Sequence, residues 1–125
     1  MNQDYSILII DDNDDNIELL SRQLTTQGFK TQFVNEAPKA LHTLKKEKID
    51  LVLLDINMPV IDGITLLSNI RKDKTLDHVA IIMLTADESI KSSLECLKKG
   101  ACGYVTKPYD IILLRKQINN CLNLS

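Results

Sequence analysis

Glycine is scarce in this 125-residue chain, with only Gly28, Gly63, Gly100 and Gly103. They stand apart and build no glycine-rich phosphate loop, so a nucleotide- or flavin-binding module finds no support. Cysteine is equally sparse. Cys96, Cys102 and Cys121 are odd in number and lack a CxxC spacing, which suggests neither a disulfide framework nor a thiolate metal site and fits a reducing cytosol. His42 and His78 lie far in sequence from the acidic positions discussed below and read as bystanders. Neither charge sign dominates, with 15 Lys+Arg against 17 Asp+Glu and a net charge of −2. That balance offers no electrostatic case for direct binding of nucleic acid or an anionic membrane, and protein is the expected partner. No basic stretch precedes an apolar one at the amino end, and no apolar run approaches membrane-spanning length. Neither a secretion signal nor a membrane anchor is expected, and a cytoplasmic location is.

What the chain does have is core. A hydrophobic content of 44% over 125 residues suits one compact domain across residues 1–125, large enough to bury a real interior. Continuous apolar runs at 6–10, 50–54 and 79–84 are rich in Ile, Val and Leu, the pattern of strands buried on both faces of a parallel sheet. Segments 29–34 and 102–105 are weaker strands, each preceded by or holding a glycine. Helical spacing fills the gaps. Ile17, Leu20 and Leu24 mark a first helix, capped by Asn13 or Asp14 and stopped by Gly28. Ala37, Ala40, Leu41 and Leu44 mark a second, with Pro38 in its first turn. Ile64, Leu67 and Ile70 mark the third; Ile90, Leu94 and Leu97 form the stripe of a fourth that stops at Gly100. Asp110 can cap a fifth carrying Leu114, Ile118 and Cys121. The class is therefore α/β, a doubly wound parallel sheet of five strands, with right-handed crossovers placing every strand-to-helix loop at one edge.

Chemistry collects where the strands stop. Leu51-Val52-Leu53-Leu54 runs into Asp55, and Ile7-Leu8-Ile9-Ile10 into Asp11-Asp12. Ligands of open α/β sheets bind outside the carboxyl ends of the strands. If the two strands are neighbours, three carboxylates converge and demand a counter-cation. Thr85 follows the fourth strand and Lys107 the fifth. Oxygen donors from Asp12, Asp55 and a loop carbonyl favour Mg2+ over zinc. Such an ion usually holds a phosphate as well, and Lys107 and Thr85 suit phosphoryl oxygens. In that company the best nucleophile is an aspartate, which would form an aspartyl phosphate. Each residue also has a plainer role. Asp11-Asp12 and Asp14-Asp15 suit an acidic helix start, Asp62-Gly63 a turn and cap, Thr85 the N-cap of the fourth helix, and Lys107 an ordinary surface.

Four strings carry a family resemblance: Ile10-Asp11-Asp12-Asn13; Leu53-Leu54-Asp55-Ile56-Asn57-Met58-Pro59 with Asp62-Gly63; Leu84-Thr85-Ala86; and Lys107-Pro108-Tyr109. In this order, over essentially the whole chain, they resemble a response-regulator receiver domain of two-component signalling, the CheY-like superfamily. The resemblance implies a flavodoxin-like (βα)5 fold, sheet order 2-1-3-4-5, and a cis peptide bond before Pro108. It implies a phosphorylation-dependent switch in which Asp55 accepts a phosphoryl group from a sensor histidine kinase or a histidine phosphotransfer protein. Asp12, Asp55 and the Asn57 backbone carbonyl then bind Mg2+, with Asp11 acting largely through water. Thr85 and Lys107 complete the catalytic set with Asp55 and sense the phosphoryl group. Ala86 and Asp87 neighbour it, and Asn57 and Asp87 tune its hydrolysis. Such a domain catalyses only its own phosphorylation and dephosphorylation. In the implied mechanism Tyr104 turns into space vacated by Thr85 and alters the surface made by the fourth helix, fifth strand and fifth helix. Without the resemblance, Tyr104 is equally a static half-buried strand residue.

Partner surfaces follow as expectations. Kinase choice should lie in exposed residues of the first helix near Ile17 and Leu20. Ile111-Ile112-Leu113-Leu114 is too apolar for one helical stripe, so Ile112 or Leu113 is expected to face outward toward a homodimer mate, a downstream protein or a fused output domain. A helix end buried deeper than usual is the other reading. The alternative function is a Mg2+-dependent phosphatase or phosphotransferase acting on small molecules through an aspartyl phosphate. Enzymes of that kind commonly carry a second aspartate two residues after the nucleophile, where this chain has Asn57.

Overall fold

The computed structural model describes residues 5–56, 62–86 and 89–124, with Ile90 described by its backbone alone. Asn57, Met58, Pro59 and Asp87, singled out above, lie outside the described residues. Strands β1 (Ser6–Ile10), β2 (Lys30–Val34), β3 (Leu51–Asp55), β4 (Ala80–Thr85) and β5 (Gly103–Thr106) form one parallel sheet in the order β2-β1-β3-β4-β5. Helices α1 (Asp14–Thr26), α2 (Ala37–Lys46), α3 (Gly63–Lys72), α4 (Ile90–Lys98) and α5 (Ile111–Cys121) connect and cover it. This is the doubly wound α/β fold that the sequence pattern predicts, with the flavodoxin-like strand order that the family resemblance implies.

The side-chain alternation of each strand sorts the core into two layers. Ile7, Ile9, Leu51, Leu53, Ile82 and Leu84 point to the face covered by α1 and α5, where Leu20, Leu24, Leu114 and Ile118 meet them. Leu8, Ile10, Val52, Leu54, Ile81 and Met83 point to the opposite face, covered by Ala40 and Leu44 of α2, Leu66, Leu67 and Ile70 of α3, and Cys96 of α4. Burial on both faces is why the central strands read as unbroken apolar runs. β2, an edge strand with Lys30, Gln32 and Phe33 exposed, reads weakly for the same reason. Side-chain caps start four of the five helices: Asn13 accepts from the Asn16 amide at 3.0 Å, Asp62 from Thr65 at 2.8 Å, Ser89 from Ser92 at 3.1 Å and Asp110 from Ile112 at 2.7 Å.

Several sequence expectations need correction. Leu94 and Leu97 do not point inward; they are exposed, and among the described side chains of α4 Cys96 is the one buried. A helix this short reaches the core through few positions, and one of them holds a small thiol. Ile17 and Leu20 are buried, as their helical spacing predicts, and Asn16, Glu18 and Leu19 are the exposed residues beside them. Leu66 joins the core while Ile64 is only partly buried. Cys102 and Cys121 form a disulfide, with Cα atoms 5.9 Å apart. α5 runs back along the sheet from the end of β5, so its last residue returns to the start of that strand. Nothing in a sequence separation of 19 announces such a return. A 3-10 turn at Lys74–Leu76 was not foreseen either. Arg71 secures it by donating to the carbonyls of Leu76 at 3.1 Å, Val79 at 2.6 Å and Gly100 at 3.0 Å. Burial pulls the Arg71 pKa down, with Asp77 pulling the other way.

Gly63 ties α3 to the end of β3. Its amide donates to the Ile56 carbonyl at 2.7 Å, and a Cβ there would lie 2.5 Å from the Asp55 carbonyl oxygen and 2.6 Å from the Ile56 Cα. Those neighbours are backbone and cannot swing aside. Gly63→Ala is expected to cost about 1–3 kcal/mol, read as a lower urea midpoint with an unchanged slope; a midpoint equal to that of the parent would show that the contact opens freely.

Candidate functional site

The sheet order reverses between β1 and β3, so their carboxyl ends open a crevice of the kind that holds ligands in this architecture. Asp11 directly follows β1 and Asp55 ends β3. Alternation along each strand carries Asp11 to the side of Ile7 and Ile9, and Asp55 to the side of Leu51 and Leu53, so both turn toward the face covered by α1 and α5. One carboxylate oxygen from each of Asp11, Asp12 and Asp55 lies within 4.8 Å of the others. Asp55 is 5% exposed and Asp11 4%, while Asp12 is open to solvent. The Asn13 amide donates to Asp11 Oδ1 at 2.9 Å and fixes one oxygen of that carboxylate.

Lys107 reaches into this cluster from the end of β5. Its Nζ lies 3.5 Å from Asp55 Oδ1 and 3.6 Å from Asp11 Oδ2, and its amide donates to the Thr85 carbonyl at 2.7 Å. The Lys107–Pro108 bond is cis, as the family resemblance implies. Thr85, the last residue of β4, is buried in the strand pair beside Thr106. It is not the N-cap of α4, because Ser89 fills that role. Three converging carboxylates supply the hard oxygen donors that suit a divalent cation such as Mg2+. His42 and His78 are exposed and stand outside the cluster.

Tyr104 sits apart from the carboxylates. It pairs with Met83 across the β4–β5 ladder, two positions before the Thr85–Thr106 pair and on the same side of the sheet. Its hydroxyl donates to Ser92 Oγ of α4 at 3.2 Å. On the other side of the site, an open groove of about 460 Å³ runs between α1 and the β5–α5 loop, edged by Asn16, Leu19, Gln23, Pro108 and Tyr109. The Tyr109 hydroxyl donates to Gln23 Oε1 at 3.3 Å. Burial, with the Asp11 carboxylate adding to it, pushes the Tyr109 hydroxyl above its ordinary pKa.

The sequence-predicted residues thus divide. Asp11, Asp12, Asp55 and Lys107 meet; Thr85 adjoins them through the Lys107 backbone, followed by exposed Ala86; Tyr104 stands on the same strand pair but away from the charges. Two contributors were missed. Gly63 was read only as part of a turn, although its lack of a side chain lets α3 abut the Asp55 backbone. Tyr109 carries no role in the sequence reading beyond its motif, yet it lines the groove beside Asp11.

The chain matches the response regulator receiver domain family model over residues 7–119. It is 37% identical over 118 residues to the regulatory protein AtoC of Escherichia coli (strain K12), which covers 94% of this chain and 25% of that protein. It is 35% identical over 120 residues to the chemotaxis protein CheY-3 of Vibrio cholerae, which covers 95% of this chain and 92% of that one. The chain therefore spans a quarter of one relative and most of another. Among solved structures, chemotaxis response regulator CheY4 of Vibrio cholerae superposes with a TM-score of 0.87 at 26% identity, over 94% of this chain and 98% of its own. A two-component response regulator from Clostridium difficile gives 0.86 at 28%, over 95% and 96%. Together with the carboxylate cluster at the switch point of the sheet, this establishes that the chain belongs to the response regulator receiver domain family.

Proposed function

We propose that this receiver domain is a phosphorylation-dependent signalling switch whose acceptor is Asp55. The observation that carries this reading is the buried Asp55 carboxylate held 3.5 Å from the Lys107 ammonium and beside Asp11 and Asp12. The donor is the phosphohistidine of a sensor histidine kinase or a histidine phosphotransfer protein. An Asp55 carboxylate oxygen forms the new O–P bond, the P–N bond breaks, and its electron pair returns to the imidazole. Lys107 and the Thr85 hydroxyl are suited to the charge that spreads over the equatorial phosphoryl oxygens. Asp11, Asp12 and Asp55, with the Asn57 carbonyl implied by the family, are the residues to hold Mg2+. When bound, such an ion neutralises the transferring group. Ala86 and Asp87 are the neighbours of the phosphate in this reading, and the domain's only chemistry is its own phosphorylation and dephosphorylation. The alternative of an aspartyl-phosphate enzyme for small molecules is not favoured by the family match.

Phosphorylation replaces the single negative charge of the Asp55 carboxylate with a phosphoryl group carrying roughly −1.5 to −2 beside an ammonium and a buried hydroxyl, which biases Thr85 toward the new oxygens. Thr85 and Tyr104 share a sheet face and adjoining pairs of one ladder, and Tyr104 is bonded to α4 through Ser92. This supports Tyr104 as the element that transmits the change. The surface it would alter carries Leu94 and Leu97 of α4 with Ile112 and Leu113 of α5, the last two 64% and 57% exposed. We read that α4–β5–α5 face as the contact for a homodimer mate, a downstream protein or an output domain. No helix among the described residues is long and apolar enough to cross a membrane. Residues 1–125 act in this reading as a single receiver unit in the cytoplasm, with no direct contact to nucleic acid.

Incubation with acetyl phosphate and Mg2+ is expected to add one base-labile phosphoryl group by intact mass. Asp55→Asn should abolish it, whereas rapid multiple turnover of phosphate esters would sink the switch in favour of an enzyme. Lys107→Ala removes a cation that competes for the same carboxylates, so Mg2+ affinity by titration calorimetry should hold or rise, while phosphorylation slows by roughly a hundredfold. A parallel loss of both would mean that Lys107 supports the site only structurally. Replacing Ile112 and Leu113 together with Glu should leave thermal unfolding intact and weaken self-association or partner capture. If neither association changes, the face is not a contact.

A further inference from the structure

The Cys102–Cys121 bond lies at the opposite end of β5 from Lys107 and the carboxylate cluster, and only Cys121 of the pair packs against the edge of a core layer. Leu114 and Ile118, fully buried, already fix α5 to the sheet, and β5 is secured by its ladder to β4. Cys102 is exposed immediately before β5, and Cys121 is half-buried at the end of α5. Solvent-exposed disulfides are the ones open to thiol exchange, and buried structural ones resist it. From this placement we propose that Cys102 and Cys121 are a redox-reversible clamp that joins the last turn of α5 to the start of β5 and gives the α4–β5–α5 face two covalent forms.

The chemistry needs only a small thiol and its disulfide, of which glutathione is the natural probe. A glutathione thiolate attacks the exposed Cys102 sulfur, the Cys102–Cys121 bond breaks, and Cys121 leaves as a thiolate and takes up a proton. A second glutathione thiolate attacks the mixed disulfide and frees Cys102, which is protonated in turn, with glutathione disulfide as the other product. Two electrons and two protons enter the protein while two glutathione thiols are oxidised; glutathione disulfide drives the reverse. The packing favours reclosure. Leu114 and Ile118 hold α5 on the sheet without the bond, and the Gln117 side chain of α5 lies over Gly103 of β5, which keeps the two sulfurs near each other after reduction. Cys96 takes no part, since it is fully buried and burial pushes its thiol up, with Glu95 adding to the effect. The ring closed by the bond contains Tyr104, Lys107, Ile112 and Leu113, so the clamp acts on the same segment that carries the proposed output surface. It does not depend on the phosphoryl chemistry for its truth or failure.

Hydrogen exchange by mass spectrometry, paired with alkylation under native conditions, tests it. With reduced glutathione, Cys102 and Cys121 should alkylate and Cys96 should not. Exchange in residues 119–124 should quicken by about tenfold or more while β1 and β3 stay protected. Glutathione disulfide should restore the slow exchange, and Cys102→Ser should remain at the fast level in both buffers. Loss of protection across β1 and β3 on reduction would make the bond a structural staple and overturn the proposal. So would an unchanged end of α5, or thiols that fail to reclose.

Discussion

Like charge at the carboxyl edge of the sheet is the constraint on which the rest of the molecule turns. Asp11 and Asp55 are almost wholly buried with Asp12 at their side, all within 4.8 Å. At an effective dielectric near 20, each pair at that separation repels by roughly 3–4 kcal/mol, and burial adds a desolvation cost. Lys107, at 3.5 and 3.6 Å, offers an attraction of similar size to two of the three. Three carboxylates and one ammonium still leave two negative charges uncompensated. A divalent cation has the charge to close that gap, and the oxygen donors match a hard one.

Such an arrangement persists only if the scaffold over-determines it. β1 and β3 lie in the middle of the sheet, paired on both sides and covered on both faces, so their ends cannot drift apart to relieve repulsion. Gly63 then locks the chain beyond β3 against the Asp55 backbone, where any side chain would intrude. On the third side, the Lys107 amide is bonded to the Thr85 carbonyl, which ties the ammonium's starting point to the end of β4. The repulsive cluster therefore rests on the central strands, covered on both faces, and its partner cation on a backbone hydrogen bond.

Much of this was legible in the sequence because the relevant signals are local. A buried parallel strand announces itself as an apolar run, and an aspartate at its end stands out against that run; hence β1, β3, β4, Asp11, Asp55 and Lys107 were all readable. What stayed hidden depends on distance in three dimensions. The Cys102–Cys121 pair exists because α5 folds back along β5. The demand for glycine at position 63 comes from the backbone of a strand that ends eight residues earlier. The stripe of α4 was misread for a different reason: leucine marks hydrophobicity and not direction. On α4 the leucines face solvent and a cysteine faces the core.

The outer surface of α4 and α5 also carries a charge pattern around its exposed apolar residues. On α4, Lys91 and Lys98 flank Leu94 at helical spacing; on α5, Arg115 and Lys116 lie one turn beyond Ile112. With Lys99, these exposed cations outnumber the exposed acids Glu95 and Asp110 of the same two helices and their caps. The carboxylate end, by contrast, carries Asp11, Asp12, Asp14, Asp15 and Glu18. The near-neutral total therefore conceals two poles. Two copies meeting through the same α4–β5–α5 face would bring basic rims together within a Debye length of about 8 Å and lose part of what the leucines gain by burial. An acidic surface around an apolar centre would lose nothing and would be steered to dock. In the contact proposed for this face, the exposed leucines and isoleucine would supply the attraction and the lysines around them would favour an acidic partner.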